Sequence, residues 1–273
     1  MAVGLEDIKK LRTMTGAGLG DCKKALAEAE GNIEAAIEII RKKGQAVAAK
    51  RSDREASEGC VLCKAENGIG AIIALKCETD FVAKNADFVK LAQDILDAAV
   101  AAKCKTLDEV KALPMGNGTI AEAIVDRSGI TGEKMELDGY SVIESDHISC
   151  YDHQGKHMLC TMVALNKEVD PAYGHAVAMQ VAAMNPVSLS ENDVPENIKT
   201  QEFEIAADKA RQEGKPENMI ERIAQGRMQK FYKEACLLNQ EFIQDSKISV
   251  SEYLKQADKE CTVTAFKRFT LRA

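Results

Sequence analysis

Nine cysteines and four histidines are the side chains through which this 273-residue sequence could bind metal, cycle between redox states or act as nucleophiles. Cys60-x-x-Cys63 has the spacing of a metal knuckle or a redox pair. Its surroundings alternate like a strand, where a three-residue offset sends the two thiols to opposite faces, and no second pair completes a zinc site. Thioredoxin-type chemistry needs such a pair at a helix N-terminus instead. His153 and His157 bracket a turn and read as surface histidines rather than ligands, so no metal is expected. Gly16-x-Gly18-x-Gly20 suggests a nucleotide loop, but its third glycine falls one residue early for the dinucleotide fingerprint and no strand precedes it. It reads as a helix–helix turn.

The chain has no Gly-x4-Gly-Lys-Ser/Thr loop, Gly-x-Ser-x-Gly elbow or His-Glu-x-x-His pair. Catalysis by an activated nucleophile therefore lacks support, and neither a resident nucleotide nor any other cofactor is expected. Glu78-Thr79-Asp80-Phe81-Val82-Ala83-Lys84-Asn85 stands apart: in a chain with 4% aromatic residues it places Phe directly after Asp between a strand and a helix. Phe81 either staples its own helix to the sheet or is presented to a partner.

The elements around these residues follow from periodicity. Apolar spacing at Leu5, Ile8 and Leu11, at Leu19, Cys22 and Leu26, and at Ile33, Ala36, Ile37 and Ile40 predicts three short helices. Gly16-Ala17-Gly18 separates the first two, Gly31-Asn32 reads as a glycine stop followed by an N-cap, and Gly44 closes the third. Charged residues from Lys50 to Glu58 form a linker.

Two apolar runs around Asn67-Gly68 then predict a hairpin, followed by a helix from an Asn85 cap. Thr106/Glu109 and Thr119/Glu122 are capping boxes opening two shorter helices. A second hairpin, Tyr140–Tyr151 with Lys156–Leu165, and a helix over Pro171–Met184 repeat the hairpin-then-helix order, which implies a duplicated α+β unit. Pro195–Glu213 and Glu217–Ala235 form an antiparallel helical pair around Gly214-Lys215-Pro216. A short helix near Val250–Ala257 and a strand over Cys261–Leu271 complete the second sheet.

Composition sets the class. Apolar residues make up 45% and charged residues 29%, as in a globular protein, and prolines and polar residues interrupt the longest uncharged stretch, Pro171–Ser190, so no membrane span fits. The opening MAVGLEDIKK lacks the apolar region of a secretory signal. An odd cysteine count without framework spacing suits a reducing compartment, so a cytoplasmic protein with buried thiols is expected. A net charge of −7 argues against direct nucleic-acid binding. Residues 1–54 nevertheless carry 11 basic against 8 acidic side chains, pointing to a protein partner.

Thr79-Asp80-Phe81-Val82-Ala83-Lys84-Asn85 resembles the signature of bacterial elongation factor Ts, as does Thr15-Gly16-Ala17-Gly18-Leu19-Gly20-Asp21-Cys22-Lys23-Lys24-Ala25-Leu26. The resemblance continues in order through Tyr151-x-His153, Gly155-Lys156, Gly214-Lys215-Pro216 and Gly226-Arg227-Met228-x-Lys230-Phe231. Two departures stand out. His157 occupies a position that is usually apolar in the family, and the chain ends at Ala273, soon after the last strand, so the further C-terminal helix of longer members is not expected.

The resemblance implies an α+β protein with an N-terminal three-helix ubiquitin-associated-like (UBA-like) domain at 1–54. A core of two related subdomains with antiparallel sheets would follow at 55–139 and 140–273, the second carrying a helical hairpin at 195–235. It also implies a non-enzymatic guanine nucleotide exchange factor of translation. Such a factor binds the GTPase elongation factor Tu in its GDP-bound and nucleotide-free forms and promotes GDP release so that GTP can load.

In that role Phe81 is the wedge into the GTPase domain, Asp80 perturbs the Mg²⁺ and phosphate surroundings, and Thr79 and Val82 set their presentation. Leu19 and Lys23 dock the first module, or serve as core and solvated charge; His153 touches the partner's barrel, or is a plain turn histidine. One copy on the GTPase, a homodimer and a two-plus-two complex all remain open. Two other readings compete: a docking module fused to a self-associating core, and a thiol redox enzyme with a low-pKa cysteine.

Overall fold

The computed structural model describes residues 4–271 and divides into two compact units. The first comprises the chain up to Leu62, Ile73–Ser141 and the segment from Thr270; the second comprises Cys63–Ile72 and Val142–Phe269. The fold is α+β.

The first unit opens with α1 (Leu5–Thr15), α2 (Leu19–Glu28) and α3 (Ile33–Lys50). Ile8, Leu11, Ala17, Cys22, Ala25, Leu26 and Ala36 form its small core. Each fully buried Leu contributes about 1.5–3 kcal/mol, enough to order short helices that would be marginal alone. Asn32 caps α3 by accepting the Ala35 N–H. The glycine motif is indeed a turn: Gly16 ends α1 at φ +70° and its N–H bonds back to Arg12 O.

The expected stop at Gly44 is corrected, because α3 runs on to Lys50 with Gly44 buried inside it. The cause is packing against α7 (Ile120–Thr131). A Cβ added at Gly129 of α7 would overlap the Cα of Gly44, so the two backbones meet where neither residue carries a side chain.

β1 (Glu58–Glu66) and β2 (Ile69–Cys77) form the first hairpin, with Asn67 and Gly68 both at positive φ (52° and 81°), as a two-residue turn requires. The one-turn helix α4 (Asp80–Ala83) and the long α5 (Ala86–Ala101) follow. α5 buries the stripe Phe88, Ala92, Ile95, Leu96 and Ala99. α6 (Leu107–Ala112) and α7 each open with the expected capping box, and β3 (Pro114–Met115) pairs antiparallel with β4 (Gly118–Thr119) between them. β5 (Met135–Glu144) joins β2, giving the order β1-β2-β5.

The second unit contains β6 (Ile148–Asp152) and β7 (Leu159–Leu165), joined by a 3₁₀ turn at His153–Gly155. The expected strand Tyr140–Tyr151 is therefore two strands, its first half belonging to β5. The chain breaks at Ser145–His147, where the Ser145 N–H bonds Gly68 O and the His147 N–H bonds the Ser145 hydroxyl.

α8 (Pro171–Met184) packs on β6 and β7 behind an Asp170 cap. α9 (Glu196–Gln212) and α10 (Glu217–Ala235) form the antiparallel pair, with Ala206, Ala207, Ala210, Ile220 and Ala224 between them. β8 (Glu241–Phe242) and β9 (Asp245–Ser249), a small hairpin that periodicity did not suggest, precede α11 (Val250–Ala257) and β10 (Val263–Thr270).

The second sheet runs β10-β7-β6. Each sheet thus places the second hairpin strand centrally and adds a later strand beside it, as a duplicated unit should. Gln180 anchors the second core: its buried amide donates to Gln240 Oε1 and Glu241 O and accepts from the Ile243 N–H. This satisfies a group that would otherwise be costly to bury.

Candidate partner-binding site

β2 is buried along nearly its whole length, so the chain leaves it at Cys77 in a fixed direction. The next two residues are clamped. Glu133, between α7 and β5, accepts the N–H groups of Glu78 (3.2 Å) and Thr79 (3.1 Å) on one carboxylate oxygen and the Thr79 hydroxyl (2.6 Å) on the other. Glu78 in turn accepts the Lys134 N–H at 2.6 Å and both of its oxygens face Arg51 Nη1 at 3.0 and 2.9 Å. The Lys134 N–H, followed by the Arg51 guanidinium, holds the Glu78 carboxyl below its ordinary pKa against the opposing effect of burial. Burial, reinforced by the Glu133 charge, pushes the neighbouring Cys77 thiol up to about 12.

Thr79 then caps α4, its hydroxyl accepting the Val82 N–H at 3.4 Å. From that cap the helix projects Asp80 and Phe81. Phe81 is 84% exposed, more than any other large apolar side chain among the described residues, so it does not staple its helix to the sheet. Asp80 accepts Lys84 Nζ at 2.7 Å, and this hydrogen bond holds its carboxyl below the usual range. Val82 is half-buried. Thr79, Asp80, Phe81 and Val82 therefore form one continuous feature.

Leu19 and Lys23 lie four residues apart on α2, one above the other on the same face, and both are exposed. Leu19, at 51% exposure, is not part of the small helical core. His153 belongs to the second unit, on the turn after β6, where its Nδ1 lies 3.1 Å from the Tyr151 hydroxyl. Tyr151 also meets His175 edge-on at 5.3 Å between ring centres. Reading the sequence missed Glu133 and Arg51 as supports of this segment, since neither lies in a local pattern that announces one, and it noted Glu78 only as the segment's first residue.

Cys60 is buried on β1 and Cys63 half-buried three residues later. Among the described residues no group of three or more His, Cys, Asp or Glu side chains is arranged to hold a metal ion, and no helix is long and apolar enough to cross a membrane.

Fold and site together describe an α+β protein that holds an apolar contact rigidly at its surface. Residues 78–273 match the family described as Elongation factor TS. Across the whole of both chains the protein is 54% identical to elongation factor Ts of Phocaeicola vulgatus and to that of Porphyromonas gingivalis. It is 46% identical to that of Azobacteroides pseudotrichonymphae over 99% of each chain. The chain belongs to the elongation factor Ts family, whose members are nucleotide exchange factors for elongation factor Tu rather than catalysts of covalent chemistry.

Proposed function

We propose that this protein binds GDP-bound elongation factor Tu and accelerates GDP release by inserting Phe81 into the GTPase domain while Asp80 disturbs the Mg²⁺ and phosphate surroundings. One observation carries the reading: the most exposed large apolar side chain stands on a one-turn helix whose cap residue, Thr79, makes two hydrogen bonds to a single carboxylate that also holds the preceding Glu78 N–H. An apolar ring left in water is an unfavourable arrangement that a partner's pocket relieves, and a clamped base limits the entropy lost on docking.

The energetics fit a partial coupling. A GTPase holds its nucleotide through phosphate-loop amides and Mg²⁺, so disturbing either grip weakens binding. Linkage requires nucleotide to weaken the protein complex by the same factor. Burial of Phe81 supplies roughly 1.5–3 kcal/mol, which is about ten- to a hundredfold in an equilibrium constant. Asp80 would be ionised near neutral pH even at its ordinary 3.8, the Lys84 hydrogen bond lowers its pKa further, and it therefore arrives as a negative charge.

In this reading Thr79 and Val82 fix the pitch of α4, Leu19 and Lys23 dock the first module, and His153 contacts the partner's barrel from the second unit. The working division of the chain is 1–54, 55–139 and 140–273, with the 195–235 hairpin as an arm. The factor carries no nucleotide or other cofactor of its own and works in the cytoplasm.

The test is release of a fluorescent GDP analogue from elongation factor Tu, chased with unlabelled GDP, with and without catalytic amounts of this protein. Strong acceleration that falls steeply in Phe81→Ala supports the reading. No acceleration of an active cognate partner overturns it.

A further inference from the structure

The exchange reading makes no use of a cluster of three thiols in the second unit. Cys150 lies on β6 and Cys160 on β7, in a register that pairs Cys150 with Met162 and Asp152 with Cys160. The two cysteines therefore stand diagonally on one face of the ladder. Cys63, near the tip of the first hairpin, brings its sulfur to both of them and accepts hydrogen bonds from the Cys150 and Cys160 thiols and from the Tyr151 N–H. His157 adds its field from the adjoining turn, where Asp152 receives both its Nδ1 (2.5 Å) and its backbone N–H (3.1 Å). Of the nine cysteines Cys63 and Cys150 are half-buried and the other seven are buried.

We propose that Cys63 and Cys150 are a modification site at which hydroperoxides drive formation of a reversible disulfide. The thiol hydrogen bonds, Cys150's first, hold Cys63 far below its ordinary 9.0 against the opposing effect of burial, while the same contacts push Cys150 and Cys160 up. Cys63 is assigned as the nucleophile because its sulfur is the one that the other two thiols and the Tyr151 N–H all meet, an arrangement of donors that favours the thiolate, the form that attacks peroxide. Cys150 is the resolving partner because Cys160 is wholly buried, whereas Cys150 leaves a path for the departing oxygen.

The steps balance. The Cys63 thiolate bonds to one peroxide oxygen, the O–O bond breaks, and the other oxygen leaves as hydroxide or alkoxide and takes up a proton. Cys63 is then a sulfenic acid. Cys150 gives up its proton as its sulfur bonds to that of Cys63, and the hydroxyl leaves with this proton as water. Two thiols have lost two electrons and the peroxide has gained them. Cys60, three residues from Cys63 on the strand, takes no part.

Reduced full-length protein is treated with hydrogen peroxide, blocked with an alkylating agent and mapped as peptides without reduction. The expected product is a Cys63–Cys150 linked peptide that a dithiol reductant removes. Before oxidation, iodoacetamide at pH 6 should label Cys63 roughly tenfold or more faster than buried Cys22. In Cys150→Ser the sulfenic acid should persist at Cys63 and be trapped by dimedone. Failure of Cys63 to outpace Cys22, or a link between any other pair in the wild-type protein, overturns the proposal. The wild-type measurements decide even if a variant does not fold.

Discussion

The hydroxyl of Thr79 donates to Glu133 at 2.6 Å while its own backbone N–H reaches the other oxygen of the same carboxylate at 3.1 Å. Thr79 is therefore gripped through side chain and backbone by one residue, and the helix it caps inherits that position. Hydrogen bonds to a charged acceptor are worth about 1.5–3 kcal/mol each, less where solvent competes. Glu133→Ala should lower unfolding free energy by about 2–3 kcal/mol in urea titrations, and it should reduce nucleotide exchange because α4 loses its base. Glu133→Gln, with one acceptor oxygen, should fall between the two. Unchanged exchange in a destabilised Glu133→Ala protein would show that the clamp serves folding alone.

Phe81 makes the opposite prediction. Its side chain is 84% exposed, so truncation removes little burial and stability should stay within about 0.5 kcal/mol of wild type. Exchange on elongation factor Tu should nonetheless fall about ten- to a hundredfold, the equilibrium worth of burying one Phe in the complex. Circular dichroism melts beside nucleotide-release kinetics test both halves. A melting point lowered by many degrees would place Phe81 in the core and refute the wedge.

What could be read from the sequence depended on whether the signal was local. The caps at Asn32, Asn85, Thr106 and Thr119 each answer to a residue two or three positions on, and all four are formed. The Asn67-Gly68 turn and the Gly214-Lys215-Pro216 break are likewise short-range. Glu133 lies 54 residues beyond Thr79, and no periodicity ties a carboxylate to a cap at that distance. The strand break at Ser145–His147 was hidden for the same reason, since the bond that stabilises it comes from Gly68 O.

The thiol cluster was half legible. Cys150 and Cys160 flank the His153–His157 turn three residues out on each side, but Cys63 arrives from another hairpin. The sequence offered Cys63 only Cys60 as a near neighbour and set that pair aside, since a three-residue offset sends the two thiols to opposite faces of a strand.

Gly44 and Gly129 allow a test of the helix contact that extended α3 past its expected end. An added Cβ at Gly129 overlaps the Gly44 backbone, whereas one at Gly44 sits at an ordinary 3.5 Å from the Gly129 Cα. Gly129→Ala should therefore cost about 1–3 kcal/mol through forced separation of α3 and α7. Gly44→Ala should be neutral or stabilise by up to about 1 kcal/mol, because alanine lowers the entropy of the unfolded chain and favours helix. Equal effects from the two substitutions, measured by chemical denaturation, would contradict the contact.

Glu78 carries the pH dependence. Its folded carboxyl is held below the ordinary 4.5 by the Lys134 N–H and Arg51, so the folded state binds its proton less readily than the unfolded chain does. Stability from this group is then fully present above 4.5 and is lost as pH falls through the depressed folded value. The stability gap between wild type and Glu78→Gln should accordingly be constant from neutral pH down to about 5 and close at lower pH. Arg51→Ala should narrow the gap without abolishing it, because the first cause of the shift, the Lys134 N–H, survives that substitution. A gap that widened on acidification would reverse the sign and show that burial, not hydrogen bonding, governs this carboxyl.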